Sequence, residues 1–314
     1  MESTSSLGLF GIIREAFKNI SKNRKLVISI LLLVFLISCQ TDFAEKYLLA
    51  PFAKDLSSQF EKYPNMIQDI ANGMDLRFYA AAIDDVREML LVKISIWVIT
   101  SIISIVYLVA VISSSSEAYT AKLLGPKDIF LKLRKSWKRP LVTNFCMIFL
   151  TLGIVFFYFI VITIAAIFAS NTYALVFLGV VTLTTPICYF YLGALWKLSL
   201  IVSVLEEGSS GLKAVGRAAE LIKGKRVQAS LLMVLFAIAY GLVAMMTRFL
   251  TSYNRGLASE LAFTIPLKNL CFCLMKLFML VAFTVFYHER KTSQDEQKEE
   301  GNRFYLPIAS GDEV

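Results

Sequence analysis

Lys276 is the residue with the strongest claim to chemistry in this chain. It sits in Cys271-Phe-Cys-Leu-Met-Lys-Leu-Phe-Met-Leu280, near the middle of a long apolar run and too far from either end for its ammonium to reach water easily. An ionisable group deep in a membrane span costs about 3 kcal/mol on insertion scales, so it marks a functional site by default. Lys197, in Leu195-Trp-Lys-Leu-Ser199, lies nearer the end of another long run and can snorkel. No carboxylate lies at comparable depth unless Asp42 or Glu45 approaches Lys276 in the folded bundle. Two cations without counter-charges form a candidate site for an anionic substrate or a lipid phosphate. The competing reading is a pair of structural lysines.

Other chemistry has little to build on. The sequence holds one histidine, His288, and five cysteines, Cys39, Cys146, Cys188, Cys271 and Cys273, all inside or beside apolar runs where thiols act as small hydrophobes. No spacing suits a zinc or di-iron site, and neither metal nor cofactor is expected. A phosphate-cradling glycine loop, His-Glu-x-x-His and a nucleophile elbow are all missing, so an enzyme is not expected. Tyr305 and Ile308, in Tyr305-Leu-Pro-Ile308, have the spacing of a tyrosine-based sorting signal, a short pattern that also arises by chance.

These residues are carried by a chain made for lipid. Of 314 residues, 57% are hydrophobic and 18% charged, and the mean hydropathy of +0.64 exceeds that of ordinary soluble chains. A helix needs about 20 mostly apolar residues to cross a hydrocarbon core roughly 30 Å thick. Six stretches qualify, near 26–47, 94–112, 141–169, 173–205, 227–250 and 263–287. The first is the weakest. Its apolar run from Leu26 to Cys39 is interrupted by Gln40, Thr41, Asp42, Glu45 and Lys46, and a reentrant hairpin is the alternative to a full span. The fold class is therefore all-α, a polytopic transmembrane helix bundle, with a leader over 1–25, a membrane domain over 26–288 and a disordered tail over 289–314. Pro186 is expected to kink or break the fourth span.

Lysine and arginine concentrate in the leader, in the second loop and in the fourth loop. Cytosolic loops retain positive charge, so both termini are expected in the cytosol, in a plasma membrane or endomembrane. Three basic segments have helical amphipathicity. In the leader, Leu9, Ile12, Ile13, Phe17 and Ile20 share a face opposite Arg14, Lys18 and Asn19. In the second loop, a helix opened by Pro126 and stopped by Pro140 carries Lys132, Arg134, Lys135, Lys138 and Arg139. In the fourth, a helix capped by Ser209 or Ser210 and ended by Gly224 carries Leu212, Val215, Ala219 and Ile222 on one stripe, with Lys213 and Arg217 on the other face. The basic residues of the last two segments are candidate contacts for anionic headgroups. The net charge of +8 is thus assigned to the lipid bilayer and its anionic lipids, not to nucleic acid.

Trp196-Lys-Leu-Ser-Leu-Ile-Val-Ser-Val-Leu-Glu-Glu207, followed by Gly211-Leu-Lys-Ala-Val-Gly-Arg-Ala-Ala-Glu-Leu-Ile-Lys-Gly224, resembles an element of a plant family of six-span membrane proteins. Ala118-Tyr-Thr-Ala121 and Phe304-Tyr-Leu-Pro-Ile308 are similar to that family too. Some of its members are labelled as binders of a polyadenylate-binding protein. More distantly, the element resembles the membrane domain attached to some bacterial glycerophosphodiester phosphodiesterases, whose catalytic barrel has no counterpart here. The resemblance implies a multi-span protein of uncharacterised activity. The residues themselves favour a non-enzymatic protein that organises or regulates membranes or membrane-protein partners. The alternative is a transporter or channel for an anionic or lipid-like substrate.

Overall fold

A computed structural model of the chain describes residues 8–62, 76–120, 131, 134, 136–167, 172–253 and 260–304. Among these residues the protein is all α-helical, without strands. The helices are α1 (Leu9–Lys22), α2 (Arg24–Lys62), α3 (Leu76–Tyr119), α4 (Lys138–Ile167), α5 (Thr172–Leu205), α6 (Leu212–Ile222), α7 (Arg226–Tyr253) and α8 (Ile265–Phe304), the last preceded by a π-helical turn over Glu260–Thr264. Six of them contain segments long and apolar enough to cross a membrane: Arg24–Phe52, Val86–Tyr119, Lys138–Ala165, Gly179–Leu205, Arg226–Ser252 and Ala262–Gln297. The helix is imposed by the solvent, because hydrocarbon offers backbone N–H and C=O groups no partner and each must find one within its own segment. Phe149, Phe156, Leu183, Ile187 and Met245 turn outward from these helices, as lipid-facing positions do.

Local breakers give way to that demand. The polar stretch from Gln40 to Lys46 leaves α2 uninterrupted, and Pro51 is contained within the same helix. Pro186 likewise lies inside a continuous α5, so of the expected kink or break, the break is not made. Thr184 and Thr185 donate to the carbonyls of Val180 and Val181 at 3.0 and 2.7 Å. Ser199, Ser203 and Thr284 do the same toward Leu195, Leu200 and Leu280. Backbone carbonyls of the preceding turn thus satisfy these hydroxyls inside apolar helices. Pro140 does not stop a helix; it lies in the first turn of α4, where a missing N–H costs nothing. The second-loop helix expected before it falls mostly outside the described residues.

The polar segment after His288 is not a disordered tail at its start, since α8 continues to Phe304. Arg290, Lys291, Gln294, Glu296 and Gln297 are good helix formers, and two of them are tied to another helix as described below. Residues 305–314 lie outside the described residues.

The chain forms two compact units. The first comprises 1–28, 108–242 and 275–314, and its core is the inner face of α8 from Leu277 to Tyr287 with Leu198, Ile201 and Val202 of α5 and Val109, Val111 and Ile112 of α3. The second comprises 29–107 and 243–274. There the Tyr107 hydroxyl donates to the Cys273 carbonyl at 3.1 Å.

Candidate functional site

The first unit holds the start of α2, the end of α3, all of α4 and α5, the first part of α7 and most of α8, together with the short helices α1 and α6. α6 exists because Ala214, Ala218, Leu221 and Ile222 recur at helical spacing and are buried on one face. That face is rotated from the stripe expected from sequence, and Leu212 is left 66% exposed. Its N-cap is Gly211, not Ser209 or Ser210. The reason is steric: Gly211 has φ 58° and ψ −131°, and a Cβ there would meet Cys146 Sγ at 3.3 Å. Its N–H donates to Thr143 Oγ1 of α4 at 2.9 Å, which fixes the start of the helix.

The far end of α6 is held by α8. Gly224 takes a left-handed conformation with φ 90°, and the last carbonyls of the helix need donors. Arg290 supplies them, with Nε on the Leu221 carbonyl at 3.0 Å and a terminal nitrogen on that of Lys223 at 2.9 Å. Gln294 Nε2 adds a bond to the Glu220 carbonyl at 3.0 Å. Beneath the helix, the Tyr287 hydroxyl donates to Glu206 Oε1 at 2.9 Å, and Arg217 Nε lies 3.6 Å from Glu206 Oε2. Arg217 also donates to Glu220 Oε2 at 2.9 Å. That hydrogen bond holds its guanidinium above its ordinary range against the opposing pull of burial, with Glu206 adding to the rise. His288 lies stacked on Tyr119 at 4.8 Å, with Nε2 3.0 Å from Ser116 Oγ.

α1 docks on the same unit through Ile12, Ala16 and Asn19. Asn19, expected on the polar face, is instead buried, and its Nδ2 donates to both the carbonyl and the hydroxyl of Ser115 at 2.9 Å. Phe10 and Phe17 are left outward, 84% and 61% exposed, on the side that also carries Arg14 and Lys18. Exposed cations recur at the other helix ends of this unit, at Arg24, Lys138, Lys213 and Arg226. Exposed Trp137, Leu212 and Val227 lie beside the last three in sequence. Basic side chains beside protruding apolar ones are the composition of an interfacial surface, where headgroup and acyl chain meet.

A family model described as Domain of unknown function (DUF8558) matches residues 1–301. The chain belongs to this family. No curated protein and no solved structure matches it. The match takes in both short helices and the whole clamp around α6.

The residues singled out in sequence are distributed as follows. Lys138 and Lys213 are exposed, Arg139 lies 4.0 Å from Glu207, and Arg217 is engaged by Glu206 and Glu220. Arg134 is exposed, while Lys132, Lys135, Tyr305 and Ile308 lie outside the described residues. Lys197 is half-buried between Leu195 and Leu198, and Lys276 is half-buried beside Leu277 on α8. Asp42 and Glu45, the acids considered for Lys276, instead pair with Lys268 and Lys93 in the second unit. Sequence reading did not anticipate Arg290 and Gln294 as a C-cap for α6. The signal was available only as a charged run that continues the helical pattern of α8 past His288.

Proposed function

We propose that this protein is a non-enzymatic membrane-organising or regulatory protein that holds anionic lipid along the helix ends of its first unit and offers that surface to membrane-protein partners. The observation that carries the reading is the row of exposed cations, Arg14, Lys18, Arg24, Lys138, Lys213 and Arg226, interleaved with exposed Phe10, Phe17, Trp137, Leu212 and Val227. Helices α1 and α6 are fixed to the bundle through Asn19, Gly211 and Arg290, so the surface is preorganised and loses little entropy when it meets headgroups. Because loop charges favour this side as cytosolic, the reading places both termini there, where anionic lipids are concentrated. The resemblance to the plant six-span family supports a plant membrane origin without adding an activity.

The test is lipid retention by the full-length protein. Purified from a mixture of phosphatidylglycerol and phosphatidylcholine, the protein is expected to retain the anionic lipid preferentially in native mass spectra, and to lose that preference in high salt. Each cation near the surface contributes about 1 kcal/mol to such binding. Changing Arg14, Lys18, Lys138 and Lys213 together to Gln is therefore expected to remove most of the preference. An unchanged lipid ratio in the quadruple variant would refute the reading.

A further inference from the structure

The second unit contains a cavity of about 500 Å³ between α2, the last turns of α7 and the start of α8. Five ionisable side chains line it: Asp42, Glu45, Lys46, Arg248 and Lys268. Both carboxylates are already answered. Asp42 Oδ2 receives Lys268 Nζ at 2.6 Å and Asn269 Nδ2 at 3.2 Å, and Glu45 Oε1 receives Lys93, which stands outside the lining. With Asp42 engaged by Lys268 and Glu45 by Lys93, neither carboxylate of the lining is left to answer Arg248.

Arg248 is the lining cation left unsatisfied among the described residues. It is exposed to the cavity and has no hydrogen-bond or ion-pair partner among the described residues. A guanidinium presents five donors in a planar fork that fits two oxygens of one anion. Ser252, four residues on and therefore on the same face of α7, also lines the cavity and offers a further hydroxyl. Thr247 and Thr251 commit their own protons to the carbonyls of Ala244 and Thr247 at 2.9 Å. One wall adjoins the π-helical turn over Glu260–Thr264, a distortion found disproportionately at functional sites. The volume falls within the range of roughly 300–1,000 Å³ typical of small-molecule sites.

The geometry points to a binding site for a phosphate-type oxyanion in this cavity, with Arg248 as its principal ligand and Ser252 beside it. The Asp42–Lys268 and Glu45–Lys93 pairs are complete in themselves, so an anion on Arg248 displaces neither of them. The site shares no residue with the lipid-holding surface proposed above, and the two fail by different variants.

Isothermal titration of the full-length protein in a neutral detergent, with inorganic phosphate and with dihexanoyl phosphatidate as probes, tests the assignment. Binding is expected to weaken tenfold or more in Arg248→Gln and to stay within twofold of the native value in Arg87→Gln, an exposed arginine of α3 that lies outside the cavity lining and outside the lipid-holding surface. Binding of the phosphatidate alone supports a lipid headgroup as the occupant, and binding of inorganic phosphate supports a free oxyanion. If neither probe binds, or if Arg248→Gln keeps native affinity, the assignment is overturned. A second measurement needs no variant: the bound probe is expected to slow phenylglyoxal modification of Arg248, read by peptide mass spectrometry. Equal modification with and without saturating probe would overturn the site.

Discussion

Gly211→Ala is a direct test of how α6 is fixed. At φ 58° and ψ −131° an L side chain is strained, a penalty of about 1–3 kcal/mol for a residue held in a sparsely populated region. The new Cβ would also lie 3.3 Å from Cys146 Sγ and 3.6 Å from Val142 Cγ1, so α4 must yield by a few tenths of an ångström or the Gly211 N–H must leave Thr143 Oγ1. Gly216 supplies the control. It lies inside α6, is exposed, and a Cβ there meets nothing within 4 Å. Gly216→Ala is accordingly expected to stabilise the helix by about 0.5–1 kcal/mol, the usual gain of alanine over glycine in a helix interior. Hydrogen exchange of the α6 amides in lipid nanodiscs reads both changes as local opening. For Gly211→Ala, a cost of about 2 kcal/mol corresponds to exchange faster by about thirtyfold, and Gly216→Ala is expected to slow exchange slightly. Equal shifts in the same direction for the two variants would refute the reasoning.

At the other end of α6, Arg290→Leu removes two hydrogen bonds from a charged donor, and a loss of about 2 kcal/mol is expected after discounting for partial exposure. Faster amide exchange confined to the last turn of α6 is the check. Ala16 is fully buried on the docking face of α1, so Ala16→Leu overpacks it at a cost of about 1–3 kcal/mol and is expected to expose Lys18 and Lys22 to tryptic cleavage in the folded protein. Protection equal to that of the native chain would argue against the docked face. Phe10→Trp places a fluorophore at an 84% exposed position on the same helix. Its emission is expected to be quenched by lipids brominated near the headgroup and hardly at all by lipids brominated at the chain end. Absence of any lipid quenching would mean that this face of α1 meets water.

Hydrophobic length made the spans legible, because the bilayer fixes how long an apolar helix must be whatever else it packs against. The same physics hides everything inside the bundle. Phe149, which faces outward, and Phe283, which is fully buried, are equally apolar, so hydropathy cannot tell lipid-facing from protein-facing positions. The short helices α1 and α6 were visible as amphipathic segments, but their burial followed the partner and not the most apolar stripe. Asn19 is buried because Ser115 offers it a carbonyl and a hydroxyl, while Phe17 stays largely outward beside Phe278. A hydrophobic pattern records transfer from water; it does not record a hydrogen-bonding partner about one hundred residues away.

Charges inside the spans show the limit most clearly. Lys276 stands out in sequence because it is deep in an apolar run, whereas Arg248 and Lys268 each lie near the end of one, where a charge is ordinary. Depth is a property of one helix, but the state of a charge depends on what other helices bring to it. Lys268 is answered by Asp42, 226 residues earlier in the chain, through a contact that no local window contains. Arg248 is left facing a cavity because the acids nearest to it on α2 are already paired. The residue whose chemistry is still open is therefore the one that only the tertiary arrangement could single out.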